Sequence, residues 1–321
     1  MTLPYYVRLL CLCFAIFFVA HAAVWLVVRA ASGVTLRIAD TMRPRMSARL
    51  LFGARVMPMA LTLFLIMGFC VPSYLWLEPD IASERVGLLC LGAALLGLTS
   101  WLIALTRALA SMICTERYVR RCGQNACSSG DVLVLSNQAT IMAIAGVAHP
   151  RLVVSQRVMD ALSEDQREVA FRHERAHRTS RDNLKKFCLL LLPDVLPFVG
   201  GGLTCLERGW ARFTEWAADD EAVDGSQERA LSLASALVRV AKLGVHRSSA
   251  YLLSTLIADD RDLATRIDRL LREPAYAEKP LQPLLVWARC KALVIGCITA
   301  TLLLWPQSLG SIHRLLEHLV H

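Results

Sequence analysis

The chain has 321 residues, of which 55% belong to the hydrophobic set and 19% are charged, and its mean hydropathy is +0.45. Soluble domains carry about a quarter charged residues, so this composition excludes a disordered chain, a collagen and a coiled coil, and it indicates contact with lipid. The formal net charge is +8, from 35 Lys and Arg against 27 Asp and Glu. In so apolar a chain, this excess is typical of cytoplasmic loops, and we expect no nucleic-acid partner.

Four apolar segments have the length of about 20 residues that a helix needs to cross a bilayer. They comprise residues 9–28, 56–77, 86–106 and 284–304. The first is long for a signal peptide and lacks a convincing small-residue cleavage site, so we interpret it as an anchor. The fourth carries Arg289 and Lys291 in its first half, where both side chains can extend to the interface. The sequence therefore predicts a multi-pass protein with the lipid bilayer as a partner.

Arginine is concentrated on alternate sides of these segments. Residues 29–55 carry six arginines and one aspartate, more arginines follow the third segment, and the loop 78–85 is mainly acidic. The positive-inside rule then predicts cytoplasmic locations for residues 29–55 and 107–283, and extracytoplasmic locations for both termini, in the cell (inner) membrane. The arginines of residues 29–55 set this topology, and they could additionally bind anionic lipid or a partner.

This topology predicts four successive regions. They are three transmembrane helices with a basic cytoplasmic loop (1–106), a cytoplasmic domain (107–283), a fourth transmembrane helix (284–305) and a short extracytoplasmic tail (306–321). The 11 cysteines are an odd number and show no CxxC spacing, so they predict reduced thiols and neither a disulfide framework nor a zinc–cysteine site.

Short β-like runs open the cytoplasmic domain, at residues 132–135, 140–145 and 151–154. The run 140–145 is either an ordinary strand or an edge strand that pairs with the backbone of a substrate. A long helix follows. Ser163 and Gln166 form a predicted capping box, and the pattern of charged and apolar residues continues through Arg178 without Gly or Pro.

That helix carries His173, Glu174 and His177 in the order His-Glu-x-x-His. Residues four apart lie on one face of a helix with their Cβ atoms about 5–6 Å apart, so the two imidazoles can bind one zinc ion. Glu174 is adjacent to the first ligand, where its carboxylate can take the proton of a water activated by the metal. The motif predicts zinc-dependent hydrolysis with Glu174 as the catalytic residue.

A catalytic zinc ion needs a third protein ligand and an open position. Glu215 lies on a second predicted helical stretch, with Asp219 one helical turn later. Glu215 is the predicted third ligand, and Asp219 is predicted to support a ligand imidazole by a hydrogen bond.

Residues 173–183, His-Glu-Arg-Ala-His-Arg-Thr-Ser-Arg-Asp-Asn, resemble the motif of the BlaR/MecR-type membrane zinc metallopeptidases. The spacing to Glu215 and Asp219, the strand 150–155 before the capped helix, and the arrangement of three membrane segments before the domain and one after it are similar too. Residues 266–270, Arg-Ile-Asp-Arg-Leu, are more distantly similar to a motif of the HtpX and CAAX-prenyl proteases. The resemblance extends over roughly residues 1–305, with its specificity concentrated in 150–220.

The resemblance implies a mainly α membrane protein with about four transmembrane helices and a cytoplasmic α+β zincin-type (gluzincin) peptidase domain. It also implies one Zn2+ per chain and endopeptidase action on a protein or peptide substrate near the cytoplasmic membrane face, in the manner of regulatory proteolysis and signal transduction. Sensor members of the family carry an extracellular ligand-binding domain after the fourth membrane segment. No such domain follows here, so we expect none attached, and a signal would arrive through the membrane segments or a separate sensor protein.

The sequence allows more than one role for several residues and for one segment. Arg266 is a candidate for bracing the site or binding substrate, and His149 and His246 are weaker candidates for donors to the transition state. Residues 187–206 could pass for a membrane span, but a crossing would separate Glu215 from the histidines. A helical hairpin that is re-entrant or lies against the membrane end of the site is predicted instead. The alternative function is a non-catalytic membrane sensor or scaffold with a structural zinc site.

Overall fold

The computed structural model describes residues 4–77, 86–124, 126–129, 132–135, 141–147, 150–194, 203–244, 253–255 and 260–272. Over these residues the protein is mainly helical and contains a small mixed β-sheet, as predicted. The chain divides into two units. The first comprises residues 1–29, 57–102 and 276–321, and the second comprises residues 30–56 and 103–275.

Long apolar helices run through the first unit. They are α1 (Tyr5–Asp40), α2 (Pro44–Leu65), which continues through a π-helical turn (Ile66–Cys70) into α3 (Val71–Leu77), and α4 (Leu88–Gln124). Three stretches, Tyr5–Asp40, Pro44–Trp76 and Leu88–Tyr118, are long and apolar enough to cross a membrane, which confirms the first three predicted segments as candidate spans. The predicted fourth span, 284–304, and the acidic loop 78–85 lie outside the described residues.

Close packing between α1 and α4 explains a glycine in the first unit. A Cβ atom added at Gly97 would lie 2.4 Å from the backbone oxygen of Phe14, so only glycine permits this approach. Many leucines on the outer faces of these helices are exposed, including Leu10, Leu26 and Leu96. Apolar side chains on the surface of helices of this length are typical of contact with lipid.

The basic segment 29–55 was predicted to be a loop, but the structure has it mostly in helices. Arg29 and Arg37 belong to α1, and Arg45, Arg49 and Arg55 belong to α2. At a rise of about 1.5 Å per residue, a helix of 36 residues such as α1 is about 54 Å long. The hydrocarbon core of a bilayer is about 30 Å thick, so a helix of this length extends beyond it.

The second unit is built on a five-stranded mixed sheet. Its strands are β1 (Ala126–Ser129), β2 (Val132–Leu135), β3 (Met142–Ala145), β4 (Arg151–Ser155) and β5 (Leu253–Thr255), in the order β1-β2-β4-β3-β5. Among the described strands, only β2 and β4 pair in parallel. Three of these strands confirm the predicted β-like runs, whereas β1 and β5 were not predicted.

One alternative kept for residues 140–145 is wrong in this sheet. β3 pairs with β4 on one side and with β5 on the other, both antiparallel, and therefore is not an edge strand. Residues 143–145 bond to 253–255, so their backbone groups are engaged within the chain. The β-augmentation of a substrate on β3 is thereby excluded for the described sheet.

Helices cover the sheet. They are α5 (Gln156–Ala161), α6 (Glu164–Ser180), α7 (Asp182–Leu190), α8 (Thr204–Val223), α9 (Gln227–Lys242) and α10 (Asp260–Leu271). The predicted capping box of α6 is confirmed, because Ser163 accepts from the Gln166 amide and the Gln166 side chain accepts from the Ser163 amide. Val169 and Ala170 of α6 pack with Leu233 of α9 in the core.

Two contacts fix α8 to the ends of α1 and α2 that lie in the second unit. A Cβ atom at Gly209 would lie 2.7 Å from the Leu36 side chain, so α8 approaches α1 closely. Arg55 of α2 is buried and its Nε donates to Glu207 at 2.7 Å, while its Nη2 donates to Asp194 at 3.0 Å. Arg55, assigned by its sequence context to the topology signal, therefore also holds α8 against α2.

Candidate metal centre

Two imidazoles face each other on the buried side of α6. His173 and His177 are one helical turn apart, are 0% and 2% exposed, and have their Nε2 atoms 3.1 Å apart. The rings are nearly perpendicular, at 84°, with centroids 4.7 Å apart. The helical spacing therefore directs one nitrogen of each ring to a common point.

Helix α8 adds a carboxylate at the same point. Glu215 Oε2 lies 3.5 Å from His173 Nε2, and Glu215 Oε1 lies 3.6 Å from His177 Nε2. Ligand atoms of the three residues lie within 4.8 Å of one another, and all three side chains are buried. The structure thus brings together the three predicted ligands from two helices.

His173 is supported from α8 and α10. Its Nδ1 lies 3.0 Å from Asp219 Oδ1. Arg266 of α10 donates to both oxygens of Asp219, from Nε at 2.9 Å and from Nη2 at 2.6 Å, and its Nη1 lies 3.1 Å from Glu215 Oε2. Arg266 therefore contacts both carboxylates of the candidate site.

His177 is supported from the start of α7. Arg181 adopts the left-handed conformation, with φ 54°, so that α7 begins directly after α6 and Asp182 turns back toward the histidine. Asp182 Oδ2 lies 2.9 Å from His177 Nδ1, and Lys185 donates to Asp182 Oδ1 at 2.9 Å. The sequence left the partner of Asp182 open, as Arg178, Arg181 or a residue of the core, and the structure places this carboxylate against His177.

The chemistry of this donor set fits a metal ion. Each Nδ1 lies against a carboxylate, which favours the tautomer that carries its proton on Nδ1. The lone pairs of both Nε2 atoms and the oxygens of Glu215 then face one another over 3.1 to 3.6 Å. Electron-rich atoms this close repel unless a proton or a metal ion lies between them, so His173, His177 and Glu215 form a site that can hold a metal.

Glu174 is buried beside this site. It is 0% exposed, and neither of its carboxylate oxygens has a hydrogen-bond partner among the described residues. Burial, opposed by the nearby imidazoles, raises the pKa of Glu174 to about 7. Buried carboxylates normally have partners, so an unpaired one next to a metal-type site is unusual in a purely structural cluster.

The carboxylates that support the site are held ionised. Burial alone would raise the pKa of Asp219, but the charge of Arg266 and the contact with His173 outweigh it and lower that pKa to about 2. Burial is likewise outweighed at Glu215, where the charges of His177 and Arg266 hold the pKa well below its usual value. Both groups therefore remain negative at neutral pH.

Another basic residue near the site was missed. Burial lowers the pKa of Lys186 on α7, against the opposing charges of Glu215, Asp182 and Glu174. Lys186 also lines a cavity of about 630 Å³ along α7 and the first half of α8. The consecutive lysines after Asp182 and Asn183 were the only signal in the sequence, and they resemble an ordinary solvated charge run.

The remaining predicted residues lie elsewhere. His149 and His246 are outside the described residues. The segment 187–206 is described only up to residue 194, just after α7, and again from residue 203, just before α8, so the predicted hairpin also lies outside the described residues.

Comparison with models of known protein families gave no match, and comparison with curated proteins gave no matching relative.

Proposed function

We propose that the protein is an integral membrane zinc metalloendopeptidase of the BlaR/MecR type, with a gluzincin-type catalytic domain. The observation that carries this proposal is the buried pairing of a metal-type donor set with an adjacent unpaired carboxylate, Glu174. The resemblance of residues 173–183 and of the Glu215–Asp219 pair to that family supports it.

In this proposal, His173, His177 and Glu215 hold the zinc ion. When bound, zinc supplies a Lewis acid that polarises a scissile carbonyl and lowers the pKa of a water molecule. Glu174 then accepts the proton of the attacking water and returns it to the leaving amine, as a general base and then a general acid. Asp219 and Asp182 keep the two imidazoles oriented and in the required tautomer.

The alternative is a non-catalytic sensor or scaffold in which the metal is a structural brace. Structural zinc sites are closed by four protein ligands, whereas the described residues supply three. A structural site also has no use for a buried carboxylate without a partner. These features favour the enzyme over the scaffold.

The proposed substrate is a protein or peptide segment near the cytoplasmic face of the cell membrane, where cleavage would serve regulation. The cytoplasmic location rests on the arginine asymmetry. The location near the membrane rests on candidate spans whose helices continue, along the chain, into residues of the second unit. Reporter fusions that are active only outside the cell should be silent at Gln227 and active at Asp80. Activity at Gln227 would overturn this orientation.

The enzyme and the scaffold differ in what Glu174→Gln does. The substitution keeps size and polarity and removes the carboxylate that moves the proton, so proteolysis should fall by at least about 10²-fold. The measurement compares new protein termini in membranes that contain wild-type or variant protein at matched zinc content, with self-cleavage recorded in parallel.

Glu168→Gln on the same helix is the matched control, because Glu168 is exposed and its one contact with a charged residue of the described structure is a 3.4 Å surface ion pair with Arg172. It should leave cleavage unchanged. Identical sets of new termini from wild-type and Glu174→Gln protein would contradict the enzyme and favour the scaffold.

A further inference from the structure

A cavity of about 320 Å³ lies behind the metal centre, bounded by the start of α2, the junction of α6 and α7, and the middle of α8. It does not include His173, Glu174, His177 or Glu215 among its lining residues. It does share Asp182 with the metal centre, since that carboxylate both lines the cavity and contacts His177. The cavity is therefore a neighbour of the candidate active site and not part of it.

Three basic side chains line this cavity: Arg45, Arg49 and Lys185. Arg49 has no ion pair or hydrogen bond with any residue that the structure describes. Arg45 makes a surface ion pair with Glu221 at 3.8 Å, with the two side chains 60% and 41% exposed, and such pairs bind weakly. Lys185 donates one hydrogen bond to Asp182, and its ammonium group has two further donors. The three cations of the lining thus outnumber the two carboxylates, Glu221 and Asp182, that pair with them.

A buried hydroxyl also lines this cavity. Thr214 is 6% exposed, and its Oγ1 has no hydrogen-bond partner among the described residues. Thr179 and Ser180, at the end of α6, supply two more hydroxyls to the lining. An unpaired buried hydroxyl costs free energy unless something else bonds to it, so the position of Thr214 indicates a ligand with a hydrogen-bond acceptor.

The remaining lining limits the chemistry of that ligand. Asp182 is the one carboxylate among the described lining residues, and His177 and Lys185 already engage it, so these residues offer a cation no free carboxylate. Phe52 and Trp210 form an apolar wall. The site therefore suits an anion with several acceptor oxygens and an apolar remainder.

We propose that this cavity binds a phosphate group, carried either by an anionic phospholipid or by a small soluble phosphate. The proposal goes beyond the proteolytic function and does not depend on it. Arg45 and Arg49 lie in the first two turns of the Pro44–Trp76 helix, which is a candidate membrane span, so a lipid headgroup could reach them. Lys185 both lines the cavity and donates to Asp182. A bound phosphate would therefore compete with Asp182 for the Lys185 ammonium group and weaken the hydrogen bond that holds Asp182 against His177.

The test measures thermal unfolding of the full chain in a neutral, phosphate-free detergent. One series adds inorganic phosphate and another adds short-chain phosphatidylglycerol. A ligand that binds the native state raises the midpoint of unfolding in a saturable manner. Stabilisation by phosphate identifies a soluble source, and stabilisation by phosphatidylglycerol alone identifies a lipid source. If neither ligand raises the midpoint, the proposal is overturned.

Arg49→Gln and Arg43→Gln form a matched pair. Both arginines are exposed and belong to the same basic segment, but only Arg49 lines the cavity. Loss of a hydrogen bond to a charged group should weaken binding about tenfold for Arg49→Gln, whereas Arg43→Gln should change it less than twofold. Equal losses in the two variants would show diffuse attraction to a basic surface and contradict the site.

Thr214→Val separates ligand binding from folding. Valine has nearly the same shape, and the hydroxyl has no described protein partner, so the unliganded protein should unfold at the same temperature or higher. Affinity for the active ligand should nevertheless fall about tenfold, because the buried donor is gone. Unchanged affinity in this variant would mean that Thr214 does not face the phosphate and would overturn the assignment.

Discussion

The two candidate metal-ligating histidines are held by different means. His173 contacts Asp219, and Asp219 accepts two hydrogen bonds from the buried Arg266. His177 rests against Asp182, which is held by a single hydrogen bond from Lys185, a side chain that is 35% exposed. Both arms have the order imidazole, carboxylate, cation. The His173 arm is buried inside the protein, whereas the His177 arm ends at a partly exposed lysine that lines a cavity.

The candidate metal centre therefore has one rigid side, at His173, and one side, at His177, whose support is partly exposed to solvent. Arg266 contacts Asp219 and Glu215 together, so it fixes the support of His173 and the third candidate ligand in one step. A planar guanidinium that is fully engaged has little freedom to move. Lys185 is a flexible point charge, so the His177 arm is the one that solvent or a bound anion can influence.

The largest expected effect comes from breaking the His173 arm. Arg266→Ala leaves Asp219 and Glu215 buried without their cation, and loss of one partner of a buried ion pair typically costs about 3–5 kcal/mol. The variant should therefore unfold at a much lower denaturant concentration than the wild type, measured by chemical denaturation in detergent.

Arg272→Ala on the same helix is the control, because its ion pair with Asp268 is exposed, at 76% and 63%. Surface pairs contribute at most about 1 kcal/mol, so this variant should be close to wild type. Similar destabilisation by the two substitutions would show that Arg266 is an ordinary surface arginine in energetic terms.

A smaller effect is expected on metal affinity, and it should be unequal between the arms. Substitution of a carboxylate that orients a ligand histidine usually costs about 10–100-fold. Asp219→Asn should lie near the upper end, because an amide cannot accept both hydrogen bonds from Arg266. Asp182→Asn should lie near the lower end, since its amide oxygen can still accept from His177. Competition with a zinc chelator measures both constants, and a loss for Asp182→Asn equal to that for Asp219→Asn would remove the asymmetry.

The elements of the site that depend on local rules could be predicted from the sequence. The helix with its cap at Ser163, the shared face of His173 and His177, and the one-turn spacing of Glu215 and Asp219 all follow from helical periodicity and capping. The first three candidate spans follow from hydropathy over about 20 residues.

The elements that depend on a turn or on distant pairing could not be predicted. Asp182 meets His177 only because Arg181 takes a left-handed conformation, which its residue type does not indicate. β3 is covered by β5, which comes from residues 253–255, so its internal position has no local signal. The basic segment gave a topology signal from its charge alone, and this signal hid the buried role of Arg55.

The most direct test of the metal centre is the zinc content of three purified proteins after dialysis against a weak chelator. Wild-type and Glu174→Gln protein should each retain one zinc per chain, because Glu174 is not among the three candidate ligands. The double variant His173→Ala, His177→Ala should retain almost none, since only Glu215 remains. Full zinc occupancy in the double variant would contradict the assignment of this site.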